Sequence, residues 1–128
     1  MSSEIVEYVK SNLDEILEGN AEKMVECADK FGQYLSKDER RKPKRLTTSQ
    51  IRGIFSQVQR MHGFDSDKLN LLRPHLAYAA GRHRDTKVKD LQDVLDTAIQ
   101  KVDNERHFKN FKKFFEAILA YHKFHGGE

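Results

Sequence analysis

The stretch LNLLRPHLAYAAGRH, residues Leu69–His83, decides how the chain reads. Its apolar positions recur at three- and four-residue spacing, the period of a helix. At about 100° per residue, Leu69, Leu72, Leu76, Ala79, Ala80 and His83 share one arc. Leu71, His75, Tyr78 and Arg82 share another, and Arg73 lies between them beside Pro74. The first arc narrows to alanines, which let a neighbouring helix approach closely. The second mixes imidazole, phenol and guanidinium, a set able to grip nucleic acid or a protein partner. From composition alone the leading reading is that Tyr78 packs half-buried and Arg82 pairs with an acid of the Asp90–Asp96 segment. Pro74 either kinks this helix or opens a new segment.

Working outward, two prolines, seven glycines and no β-branched alternation predict helices throughout. One spans about 3–18 and stops at Gly19; a second spans about 20–36, with Asn20 as its N-cap. The charged SKDERRKPKR (Ser36–Arg45), with Pro43, is a loop. Thr47 followed by Gln50 forms a capping box that opens a third helix, burying Ile51, Ile54, Phe55, Val58 and Met61. Asp65, Ser66 or Asp67 caps the next. Two more helices follow, about 86–103 and about 105–124, the last rich in phenylalanine and closed by His-Gly-Gly. The expectation is an all-α, compact single-domain bundle of five to six helices over 1–128. Its acidic N-terminal helices cover 1–35, a basic loop 36–46 and a helical core 47–128.

A chain of 128 residues buries one core without disulfide or metal. The only cysteine, Cys27, has no partner for an internal disulfide and reads as a buried thiol in a reducing cytoplasm. No apolar run approaches the roughly 18 residues of a membrane span, and the acidic start is no secretion signal. Net charge is only +3, but its distribution is uneven. Residues 1–35 carry eight acids against three lysines, whereas 36–60 carry eight basic residues against two acids. Between Glu39 and Asp65 there is no acid at all. An acid-free stretch of that length points to a polyanion.

Within it, Ser49, Arg52, Ser56, Gln59 and Arg60 fall on the arc of the third helix opposite Ile54 and Val58. Lys44, Arg45 and Thr48 stand at its head, where free backbone N–H groups and the helix dipole favour phosphate. The competing reading is a solvated polar face behind a basic loop. Six histidines give no zinc spacing: His122 and His125 lack a cysteine or carboxylate nearby, and His75 and His83 lie on different arcs. Asp90, Asp93 and Asp96 read as a solvated face rather than a metal ladder. No phosphate-cradling glycine loop, nucleophile elbow or HExxH is present. Catalytic residues, metal, cofactor and small-molecule substrate are therefore none.

TTSQIRGIFSQVQRM, LLRPHLAYAAGRH and FKNFKKFFEAILAYHKFHGG, in this order, resemble the small helical subunit of type III-A CRISPR effector (Csm) complexes. The resemblance covers about residues 44–127; residues 1–43 carry no such motif. It implies a non-enzymatic scaffold in antiviral defence that packs against other effector subunits and further copies of itself. It also implies RNA binding through the backbone of guide RNA and target RNA, without reading sequence. Carried over by motif, the contacts would be Arg52, Arg73 and Arg82. Lys44, Arg45 and Arg60 join them on charge, and Thr48, Ser56 and Gln59 as donors to phosphates and sugar hydroxyls. Three other readings stand beside it. They are a helix-turn-helix DNA-binding regulator with TTSQIRGIFSQVQRM as recognition helix, a small histidine-dependent ribonuclease, and a protein-only adaptor.

Overall fold

Where one helix was expected over about 3–18, the chain makes two, because Asn12 breaks it. The Asn12 amide and the Ser11 hydroxyl both donate to the Tyr8 carbonyl, at 2.8 and 2.7 Å. The Asn12 N–H turns instead to Val9, three residues back. Short polar side chains thus compete with the helical ladder and end it. The structure, a computed structural model, describes residues 3–38 and 44–128. The described residues form α1 (Glu4–Ser11), α2 (Leu13–Glu18), α3 (Ala21–Leu35), α4 (Thr48–Gln59), α5 (Ser66–Arg82), α6 (Val88–Lys101) and α7 (Glu105–Phe124). The fold is all-α, with seven helices instead of five to six, and no strand among the described residues.

Side chains cap five of the helices at their N-termini: Ser3, Asn20, Thr47, Asp65 and Asn104. At α4 the predicted box is complete. The Gln50 N–H donates to Thr47 Oγ1 at 3.2 Å, and the Thr47 N–H to Gln50 Oε1 at 2.9 Å. Pro74 sits inside α5 rather than opening a segment. Pro74 and Asn70 are both exposed, and the missing Pro74 N–H leaves the Asn70 carbonyl without its helical donor.

The aromatic α7 is the axis of the core. Phe108, Phe111, Phe114, Phe115 and Ile118 are buried, each burial stabilising by roughly 1.5–3 kcal/mol. α3 crosses α7 so closely that a Cβ at Gly32 would stand 2.7 Å from the His122 nitrogen and 2.8 Å from Tyr121 Cβ. α2, α3 and α4 lie against α7, while α5 rests on α6. Among the described residues no helix is long and apolar enough to cross a membrane.

The acids of α6 correct the expectation of a solvated face. Asp90 accepts from the Tyr34 hydroxyl on α3 at 2.6 Å. Asp93 pairs with Lys10 on α1 at 3.2 Å, and Asp96 with Arg73 on α5 at 2.7 Å. One carboxylate per turn fastens α6 to a different neighbour. Of the basic loop, residues 39–43 lie outside the described residues. Its last residues dock: Lys44 forms a parallel bridge with Thr86, and the buried Leu46 donates its N–H to Leu35 at 2.9 Å.

Candidate nucleic-acid interface

α4 presents its polar arc outward because its apolar residues recur on the opposite side. Ile51, Phe55 and Val58 are buried. Ser49, Arg52, Gln59 and Arg60 are exposed, while Ser56 is half-buried and donates its hydroxyl to the Gly53 carbonyl at 2.9 Å. Among the described residues neither Arg52 nor Arg60 has a carboxylate within ion-pair distance. A charged guanidinium without a partner is an available ligand for phosphate.

The other cations stand differently. Arg73 donates Nε to Asp96 Oδ1 at 2.7 Å and Nη2 to Oδ2 at 3.5 Å, so its guanidinium ties α5 to α6. On α5 it is Arg73, and not Arg82, that pairs with an acid of the Asp90–Asp96 segment. Arg82 instead lies over the ring of Tyr78, 5.8 Å from its centroid. Tyr78 is 68% exposed, not half-buried, and His75 is exposed beside it. Arg45 pairs with Asp38 at 2.9 Å and with Glu128 at 3.0 Å. Its N–H and guanidinium beside Asp38 hold that carboxyl below the usual range. The Thr48 N–H donates to the Glu128 backbone oxygen, and its hydroxyl is buried without a partner. The Lys44 side chain is exposed beyond its bridge.

Between α4 and α5 lies a groove of about 450 Å³. Ser49, Gly53 and Gln57 form one lip, His75, Tyr78 and Arg82 the other. Its floor is apolar and reaches the core at Leu95, Ile99, Phe111 and Phe115.

The histidines do not form one centre. His107 accepts the Asp103 N–H at Nδ1, 3.2 Å, so Nε2 carries the proton donated to Glu18 Oε1 at 2.7 Å. That bond holds the Glu18 carboxyl below its ordinary range. His125 pairs with Asp29 at 2.5 Å. His122 is fully buried, with Nε2 donating to the Leu46 carbonyl at 2.7 Å. Among the described residues no three metal-binding side chains cluster. Cys27 is buried, and burial pushes its thiol up to about 11.

Four residues escaped the sequence reading: His107 and His122, which serve as buried hydrogen-bonding pins, Glu128, which engages the head of α4, and Lys87. Lys87 is buried, donates to the Tyr34 carbonyl at 2.6 Å and lies over the Tyr34 ring. His122 occupies the helical position four after Ile118, on the buried stripe of α7, which is the signal that could have found it.

The sequence model of the family described as Csm2 Type III-A matches residues 18–128, reaching further toward the N-terminus than the motifs did. The CRISPR system Cms protein Csm2 of Streptococcus thermophilus is 31% identical over 94 residues, covering 65% of this chain and 75% of that protein. The chain belongs to the Csm2 type III-A family and is a subunit of a type III-A CRISPR complex.

Proposed function

We propose that this subunit is a non-catalytic, cytoplasmic scaffold that holds the backbone of guide RNA and target RNA against the outer face of α4. The observation that carries the reading is the pair Arg52 and Arg60. Both are exposed, both lack a carboxylate among the described residues, and both lie in the acid-free stretch. Donors on one face with no acid among them suit phosphate and sugar oxygens and carry no base-reading pattern. Ser49, Ser56 and Gln59 add uncharged donors along the same arc, and Arg82 with Tyr78 stands across the groove. Arg73 contributes through the α5–α6 tie that sets the far lip. The groove's apolar floor and the exposed Leu71 and Tyr78 supply the surface for neighbouring effector subunits and further copies of the chain.

The helix-turn-helix reading has little to rest on, because Ser36–Thr47 separates α3 from α4, far beyond a turn of roughly three to four residues. The test is the assembled complex carrying Arg52→Ala together with Arg82→Ala. Target-RNA retention should fall several-fold across sequences, with the salt slope reduced by about one to two. Retention equal to the unaltered complex at several salt concentrations removes these residues from the interface.

A further inference from the structure

The head of α4, where the proposed interface begins, is already occupied by the chain itself. After α7, Gly126 adopts a left-handed φ of +98° that turns the chain back, a conformation suited to glycine. The Gly127 N–H donates to the His122 carbonyl at 2.8 Å and Gly126 to Lys123 at 3.1 Å. Lys37 holds the His125 carbonyl at 2.8 Å. Glu128 then arrives over α4: its carboxylate takes Arg45 Nη2 at 3.0 Å, and its backbone oxygen takes the Thr48 N–H. A carboxylate on an arginine, with a second oxygen on a free helix N–H, is the contact set that a phosphate would make.

Two polar atoms under this tail have no partner. Thr48 Oγ1 is buried and unbonded, and so is His122 Nδ1. The His122 residue is fully buried. Because Nε2 gives its proton to the Leu46 carbonyl, Nδ1 is a bare acceptor. It lies against Gly127, where an added Cβ would stand 2.2 Å away. Covered acceptors without donors cost free energy that water or a sugar hydroxyl would recover. The Arg45–Glu128 pair, 37% and 73% exposed, is screened enough to exchange.

We propose that the Gly126–Glu128 tail is a stand-in for RNA backbone, holding the anion site of Arg45 and the α4 N-terminus until an RNA phosphate displaces it. Lifting the tail frees Arg45 Nη2 and the Thr48 N–H for that phosphate, while Nη1 stays on Asp38 at 2.9 Å. It also bares Thr48 Oγ1 and His122 Nδ1, the latter as acceptor for a ribose 2′-hydroxyl. The tail therefore sets the threshold for RNA at this end of the interface. The inference rests on the RNA reading of α4.

Two variants open the tail by independent means. Glu128→Gln removes its charge without touching the packing, and Gly127→Ala places a methyl 2.1 Å from His122 Cε1, which forces it off. Binding of a fluorescein-labelled single-stranded RNA to the full chain is measured by anisotropy at several salt concentrations. Both variants should bind about two- to fivefold tighter, with the salt slope steeper by about 0.7. Adding Arg45→Ala to Glu128→Gln should abolish the gain. If both tail variants bind like the unaltered chain while Arg52→Ala with Arg60→Ala weakens binding, the tail proposal is overturned and the RNA reading of α4 stands. If Arg52→Ala with Arg60→Ala changes nothing, the RNA reading itself falls and takes the tail with it.

Discussion

His122 shows how one side chain joins three parts of this molecule. Its ring lies on α7, its Nε2 holds the Leu46 carbonyl just before α4, and its Nδ1 is sealed by Gly127. Burial holds its pKa below the ordinary imidazole value of 6.5, against a smaller opposing effect of the Leu46 hydrogen bond, and Lys123 nearby adds the least of the three in the same downward direction. In the unfolded chain the same histidine titrates near its ordinary value. As pH falls through 6.5, the unfolded state binds a proton that the folded state refuses, so stability is lost on acidification and unaffected well above 6.5. The His122 imidazole resonance, followed by NMR, should therefore titrate below 6.5 in the folded protein; a midpoint at or above that value contradicts the burial argument. Helical spacing could have placed His122 on the buried stripe, but not its partners. A histidine near a helix end has the same letter whether it meets water or a carbonyl contributed by residues far away in the chain.

At the scale of elements, the helices were legible because their causes are local. The Thr47–Gln50 box, the Asn20 cap and the phenylalanine stripe of α7 all act within a turn or two of themselves. Local causes also split the first helix, yet Ser11 and Asn12 had to bond back to Tyr8 to do so, and apolar spacing alone concealed it. The acids of α6 were misread for the opposite reason. Asp90, Asp93 and Asp96 recur at helical spacing, which sequence reads as a wet face, but each meets a partner on another helix. The Arg73–Asp96 tie should show in a double-mutant cycle on urea unfolding as a coupling of about 0.5–1 kcal/mol, the range for a partly screened pair. A coupling near zero would make the contact a passive one and return Arg73 to the candidates for RNA.

For the whole molecule, the distribution of apolar surface separates what the fold needs from what the assembly needs. Leu71 and Tyr78 on α5 are 65% and 68% exposed, and Tyr78 lines the α4–α5 groove. Neither stabilises the chain in isolation by much. Leu71→Ser with Tyr78→Ala should leave the urea midpoint within about 0.5 kcal/mol of the unaltered chain, while lowering the amount of this subunit that co-purifies with its complex. Undiminished incorporation would move the partner surface elsewhere. The sequence by itself determined the helical class, the acid-free cationic arc of α4 and the family, because periodicity, capping and charge runs are properties of neighbouring letters. Only the tertiary structure decided which cations stand in ion pairs. Arg73 and Arg45 look no different from Arg52 and Arg60 in the sequence. Asp96 and Glu128 reach the first two across the fold, and ion pairing depends on distance in space rather than along the chain.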